Sequence, residues 1–374
     1  MREVVVVGTG KIGAAIVEML SATGDYLVTA VDRAAPVPKI LHHPDRVRFE
    51  RIDILDRNEF DRILAGKFAV LSAAPYYFTS QIAAAAVANG VHYLDLTEDV
   101  ATTKKVMQLA QESSHALVPQ CGLAPGFVSI VGYDLARQFE RLDSLRMRVG
   151  ALPQYPSNAL NYNLTWSTDG VINEYCEPCE AIVDGARTSV PALEEREEFS
   201  LDGVTYEAFN TSGGLGTLCD TLQGKVRTLN YRTIRYPGHA AIMKALLNDL
   251  RLRDRRDLLK DILENAVPVA LQDVVIIFVT ASGYRDGRLE QETYANKIYA
   301  QKLEGQTRTA IQATTASSIC AVLDLLSAGK IPSRGFLRQE DISLDVFLDN
   351  RFGRVYRHRE RPAMPPLDPT TATS

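Results

Sequence analysis

The chain opens with Val4-Val5-Val6-Val7, and Gly8-Thr9-Gly10-Lys11-Ile12-Gly13 follows at once. Four β-branched residues in a row read as a buried strand. Lys11–Ala22 then carries apolar residues at helical spacing. A strand, a glycine turn and a helix in that order confine the start of the chain to a βαβ unit, and so to a parallel sheet covered on both faces. The spacing G-x-G-x-x-G has a mechanical meaning in that context. Gly8 permits the tight turn, Gly10 lets the backbone approach a pyrophosphate, and Gly13 lets helix and strand pack closely. The helix N-terminus adds N–H groups and a positive dipole for the phosphates. Thr9, Lys11 and Ile12 complete the turn and are assigned to the same ligand.

The rhythm continues. Residues 26–31, 47–52, 68–72, 92–94 and 116–120 read as further strands. Asp56-Arg57-Asn58-Glu59 reads as a capping-box start to a helix through Leu64. The helix over 80–89 ends at Gly90, and another is expected over 100–113. Residues 1–122 are therefore expected to form a Rossmann domain, a doubly wound α/β sheet. Asp32 ends the second strand, where a carboxylate accepts from an adenosine ribose hydroxyl and repels a 2′-phosphate. That favours NAD. Arg33 beside it offers a guanidinium to such a phosphate, so NADP is the alternative. Asp53, ending the third strand, is placed at the adenine edge. Ala73, Ala74 and Pro75 end the fourth strand on the ligand face, and their small size leaves room for the cofactor.

After Gly126 the pattern changes. Residues 145–152 and 161–166 look like strands, 182–187 like a hairpin around Asp184-Gly185, and 274–282 with 290–299 like another around Asp286-Gly287. A charged helical stretch, 240–264, lies between them. This predicts an α+β second domain over 123–307 with a mixed or antiparallel sheet. Residues 308–350, with an apolar helix over 309–328, are expected to pack back on the first domain, and 357–374, with four prolines, to be a flexible tail.

Composition narrows the function. The chain of 374 residues has a net charge of −5 and no dominant basic stretch, which argues against nucleic acid as a partner. No run of about 18 apolar residues is seen, so no membrane span is expected. The N-terminus enters a strand at once, without the pattern of a secretory signal. Five cysteines, an odd and sparse set, fit reduced thiols in a cytoplasm. Cys176-Glu177-Pro178-Cys179 is C-x-x-C, but no second pair follows at ligand spacing, so two ordinary thiols and no metal are expected.

Several phrases of the chain are unusual: Tyr93-Leu94-Asp95-Leu96-Thr97-Glu98, Gly122-Leu123-Ala124-Pro125-Gly126, the run from Thr165-Trp166-Ser167 through Asp169-Gly170 to Tyr175, Thr211-Ser212-Gly213-Gly214-Leu215-Gly216, and Arg235-Tyr236-Pro237-Gly238-His239. Together with the N-terminal fingerprint, they resemble the saccharopine dehydrogenase family, most of all its lysine 6-dehydrogenase branch. The resemblance runs from residue 1 to about Arg354. It departs from the branch at 211–218, where Ser212 and the paired Gly213-Gly214 stand in place of a simpler Thr-Asp-Gly-Leu. The resemblance implies a Rossmann domain, a substrate domain, a homodimer or higher homo-oligomer built on its sheet, and NAD(P)-linked oxidation at the carbon–nitrogen bond of an amino acid. Oxidative deamination of L-lysine or a related diamino acid is the leading expectation. A saccharopine-type or carboxyspermidine-type condensing enzyme and a non-catalytic dinucleotide sensor are the rivals.

Amine oxidation needs a base near neutral pKa. His239, opening a helix whose dipole favours a neutral imidazole, is the catalytic candidate, together with Asp169. A substrate carboxylate calls for a guanidinium fork, with Arg235 first and Arg148 second. A distal ammonium calls for a carboxylate, from Asp95, Glu98 or Asp169. Trp166 is a candidate pocket wall, and Gly126 with its loop is expected to shape the substrate site.

Overall fold

The computed structural model describes residues 1–34, 43–269 and 271–358. His42 and most of the expected tail, residues 359–374, lie outside the described residues. The first sheet is built from β1 (Arg2–Val7), β2 (Tyr26–Asp32), β3 (Val47–Arg51), β4 (Ala69–Ser72), β5 (His92–Asp95) and β6 (Ala116–Val118). Helices α1 (Lys11–Ala22), α2 (Arg57–Leu64), α3 (Thr79–Asn89) and α4 (Val100–Leu109) connect them. The strand order 6-5-4-1-2-3 is parallel throughout, with the switch point between β1 and β4. In open sheets of this kind ligands bind outside the strand carboxyl ends at that point. Val4, Val5 and Val6 are fully buried in the centre, so the valine run is the sheet's axis. Local chemistry sets the helix ends: Asp56 accepts from the Glu59 N–H at 3.1 Å, and Gly90 takes a left-handed φ of 63° after α3.

The second sheet follows α5 (Phe127–Ala136). It holds β7 (Arg141–Pro153), then β8 (Cys179–Val183), β9 (Ala186–Val190), β10 (Glu197–Leu201), β11 (Val204–Asn210) and β12 (Thr228–Arg235), and finally β13 (Asp273–Arg285) and β14 (Arg288–Tyr299). Its main path runs β10-β11-β12-β7-β13-β14. The pair β12–β7 is parallel and its other pairs are antiparallel, so the sheet is mixed. The two expected Asp-Gly hairpins form, with Asp184, Gly185, Asp286 and Gly287 all at positive φ. Asp202-Gly203 makes a third between β10 and β11.

Two local expectations fail. Residues 161–166 are not a strand, although Tyr162 and Leu164 alternate with polar neighbours. They bury their apolar side chains as an irregular segment against α6 (Thr168–Cys176), α8 (His239–Lys244) and α9 (Arg256–Ala266), while the short α7 (Leu218–Leu222) lies elsewhere, in the main core. The stretch 240–264 is not one helix either: Arg251 takes a φ of 55° and breaks it.

After a small hairpin, β15 (Gln301–Leu303) with β16 (Gln306–Arg308), the chain returns to the first sheet. Helix α10 (Ala310–Ser327) packs on α1 and β13, and β17 (Gly335–Phe336) pairs with β6 as a seventh parallel strand. By length and composition α10 could cross a membrane, contrary to the reading of the apolar runs, but 78% of it is buried inside the protein. Its start is fixed by Asp273, fully buried, which accepts from the Ile311 N–H at 3.0 Å and the Ala310 N–H at 2.5 Å. Together these contacts set the second sheet against the ligand end of the first.

Candidate active site

The dinucleotide cradle comes first. A Cβ on Gly8, whose φ is 90°, would meet the Ala73 carbonyl oxygen at 2.8 Å. One on Gly13 would collide with the Gly8 carbonyl, so both glycines are demanded by the turn itself. Gly10 is different: among the described residues a Cβ there would meet nothing within 4 Å. Helix α1 has no side-chain cap and no acid in its first turn. Open space over uncapped helix N–H groups fits a pyrophosphate. Asp32 braces the turn. One of its oxygens accepts from the Thr9 N–H at 2.7 Å and the Thr9 hydroxyl at 2.9 Å, and the other from the Ala34 N–H at 2.9 Å. Burial works to raise the Asp32 pKa, but these donors outweigh it and hold the carboxyl below its usual value. Arg33 is exposed beside it. Asp53 is exposed too, and its carboxylate accepts from Leu55 N–H at 3.0 Å, which makes it a turn residue. Lys11 projects into solvent.

Between the two sheets lies a cavity of about 250 Å³. Ile12, Ala73, Ala74 and Pro75 line its cofactor side, and Asp95, Glu98, Trp166, Asp169 and Arg235 line the other. Gly126 does not reach it. With a φ of 136° and its Cβ position against the Gly122 carbonyl, Gly126 shapes the loop whose members Gly122 to Pro125 do line the cavity. Arg148 also stays out: it is paired with Glu197, Nε to Oε1 at 2.6 Å, and is not a carboxylate anchor.

Arg235 ends β12, 2% exposed. Its Nε donates to the Tyr175 hydroxyl at 3.0 Å and its Nη1 to the Ile234 carbonyl at 2.8 Å, and the guanidinium lies 4.9 Å from the Tyr162 ring centroid. Among the described residues no carboxylate pairs with it, which leaves a buried cation facing a cavity. Such a group is costly unless a ligand anion completes it.

His239 is not where amine chemistry needs it. It is 1% exposed and absent from the cavity wall. Its Nδ1 donates to the Leu160 carbonyl at 2.8 Å, so Nε2, 3.1 Å away, accepts from the Tyr175 hydroxyl. Burial, with Arg235's charge behind it, lowers its pKa to about 3. The N-terminus of α8 is meanwhile capped by Glu207, which accepts from Gly238 and Ala240 N–H groups at 3.1 and 2.7 Å. His239 is thus the far end of a hydrogen-bond chain, through Tyr175, that orients Arg235.

The acids divide by their partners. Asp95 is used up: it accepts from Tyr93 at 2.8 Å, Thr97 at 2.9 Å and Gln120 at 2.8 Å, while burial still raises it to about 6. Asp169 is paired with Lys260 at 2.6 Å. Glu98 lines the cavity half-buried, and burial, with repulsion from Asp99, Asp95 and Asp169 behind it, pushes it up to about 7. Sequence reasoning missed Glu174. It lies on α6, 6% exposed, in the cavity wall, and no protein hydrogen bond or ion pair to its carboxyl is found among the described residues. Burial and then Glu98 drive it well above the ordinary carboxyl range. A signal existed. Gly170 and Glu174 fall one helical turn apart on α6, and a Cβ on Gly170 would collide with the ring of Trp166, which precedes the helix, so clearance for the pocket wall and the acid share one face.

Known proteins share this plan. The saccharopine dehydrogenase NADP binding domain matches residues 4–123 and the saccharopine dehydrogenase C-terminal domain residues 122–350. Saccharopine dehydrogenase [NADP(+), L-glutamate-forming] of Saccharomyces cerevisiae is 23% identical over 272 residues, 68% of this chain. The matched stretch spans 59% of that relative's length. A structure of apo saccharopine dehydrogenase (L-Glu forming) from the same yeast superposes with a TM-score of 0.75 at 17% identity, covering 92% of this chain and 95% of that one. An engineered D-amino acid dehydrogenase gives 0.50 at 12% identity, covering 92% and 96%. With both halves matched in order and the dinucleotide cradle in place, the chain belongs to the saccharopine dehydrogenase family.

Proposed function

We propose that the protein oxidises the carbon–nitrogen bond of a diamino acid, L-lysine or a near relative, with a nicotinamide dinucleotide. One observation carries this reading: among the described residues the cavity offers one guanidinium with no carboxylate in hydrogen-bond range, Arg235, and two carboxyl groups not taken up by other side chains, Glu98 and Glu174. A substrate with one carboxylate and two amines matches that balance. Saccharopine, a glutamate joined to lysine, brings three carboxylates and would set two of them against the acids. The bound dinucleotide supplies the hydride acceptor. Arg235 orients the substrate carboxylate, Trp166 walls the site, and Gly122 to Pro125 close the side toward the cofactor.

The test is near-UV absorbance of the reduced nicotinamide over L-lysine, ornithine, saccharopine and polyamines with either dinucleotide. Turnover of L-lysine alone supports the reading. Turnover of saccharopine alone, the substrate in the name of the yeast relative, overturns it in favour of the condensing branch.

Two site predictions accompany it. Asp32→Ala should weaken NAD binding by about tenfold, the worth of a hydrogen bond to a charged acceptor, and NADP binding less, since a 2′-phosphate gains from losing the carboxylate. Equilibrium titration with both dinucleotides checks this, and equal losses would remove Asp32 from cofactor choice. His239→Gln should raise KM for L-lysine by about tenfold by loosening Arg235, without moving the acidic limb of the pH profile. A shift of that limb would return His239 to acid–base chemistry.

A further inference from the structure

We infer that Glu174 is the group that takes the proton from the reacting amine, with Glu98 as its partner carboxyl. This rests on the amine-oxidation reading. Glu174 is more than nine-tenths buried, opens onto the cavity, and has no partner of its own among the described residues. A carboxyl in that setting is expensive to keep unless a ligand uses it. Arg235 lines the same cavity and its charge is felt at Glu174, so carboxylate anchor and acid serve one small molecule. The other candidates are committed elsewhere. Asp95 is saturated with donors, Asp169 is held by Lys260, and His239 is outside the cavity.

The charged and titratable groups around the pair are few. Glu98 from the loop after β5 and Arg235 from β12 act on Glu174 directly. Tyr175 on α6, Tyr231 on β12, Tyr162 and Cys179 feel its charge. Asp95, Asp99 and Asp169 act on Glu98, and Tyr76, in the cavity wall before α3, feels its charge. Burial raises both carboxyls, and Glu98 adds its repulsion at Glu174, so the free site keeps a proton to higher pH than ordinary carboxyls would. An entering ammonium stabilises both ionised forms and expels that proton.

The step balances. A Glu174 carboxylate oxygen takes a proton from the substrate ammonium: the N–H bond breaks, an O–H bond forms, and nitrogen keeps the electron pair. That pair forms the C=N bond as the adjacent C–H bond breaks, its hydrogen leaving with both electrons for an oxidised nicotinamide dinucleotide. The substrate loses two electrons, the dinucleotide gains them, and an iminium ion remains for water to attack. Glu98, the more exposed of the two acids, returns the proton to solvent.

The experiment uses the full chain with L-lysine as probe. Calorimetric binding without dinucleotide, in buffers of different ionisation enthalpy near neutral pH, should show less proton release in Glu174→Gln, where only Glu98 remains to give one up, than in the wild type. With dinucleotide, Glu174→Gln should lose kcat/KM by about 10²–10⁴-fold, the usual worth of a general base. A carboxylate base works only when ionised, so the wild-type rate falls as pH drops through its raised pKa. Glu98→Gln, which removes a repelling charge, should move that acidic limb to lower pH. A wild type that oxidises no amine overturns the amine-oxidation reading, and this proposal with it. An active wild type whose Glu174→Gln variant keeps its rate, its limb or its full proton release overturns the proposal alone.

Discussion

Arg235→Lys is expected to lower kcat/KM for L-lysine by about 10²–10³-fold, or about 3–4 kcal/mol, while turnover of 1,5-diaminopentane stays within about threefold (under 0.7 kcal/mol). The contrast follows from geometry. Tyr175 and Ile234 hold two edges of the guanidinium, and the Tyr162 ring covers it, so its free edge faces the cavity in a fixed plane. A lysine keeps the charge but cannot make the two-pronged contact that a planar fork makes with a carboxylate. Truncating one side of a buried charge pair costs about 2–5 kcal/mol, which covers the expected loss. The diamine has no carboxylate and so is indifferent to the fork. Steady-state kinetics with both compounds decide the matter. Equal losses would make Arg235 a structural cation, and no loss for L-lysine would place the carboxylate elsewhere.

That anchor was legible in the sequence as a residue type; its surroundings were not. The need for a guanidinium fork points to Arg235, but Tyr175 and Tyr162, which hold it, come from segments more than fifty residues upstream. His239 shows the same limit. Its position after Pro237-Gly238 correctly marks a helix start, yet position along the chain does not say which way a ring points, and the ring turns inward to Tyr175 and Leu160. Arg148 failed because an alternating strand does not reveal which face meets the cavity, and Glu197 claims it on the other side. The stretch 161–166 mimicked a strand because a period of two also arises when an irregular segment drops Tyr162 and Leu164 into a core between helices. The first sheet was easier. Its helix caps are built from neighbours in sequence, as Asp56 and Gly90 show.

The fingerprint turn also separates fold from ligand. Gly13→Ala drives a methyl group into the Gly8 carbonyl, and Gly8 itself is pinned against Ala73, so the turn has little freedom to yield. The protein without dinucleotide should melt lower, by about 1–2 °C for each kcal/mol of strain. Gly10→Val meets no protein atom at its Cβ, and the φ of −66° at this position suits any residue. Its melting temperature should therefore stay near wild type, apart from about 1 kcal/mol for a poorer helix N-cap. Dinucleotide binding should respond in the reverse order of size. A side chain at Gly10 stands where the pyrophosphate meets the N–H groups of α1, and losing two charge-assisted hydrogen bonds at about 1.5–3 kcal/mol each weakens binding by about 10²-fold or more. Thermal melts of the free protein, set beside dinucleotide titrations, separate the two effects. If Gly10→Val bound the dinucleotide normally, the phosphates would not lie on this turn, and the cavity between the sheets would have to be entered from another side.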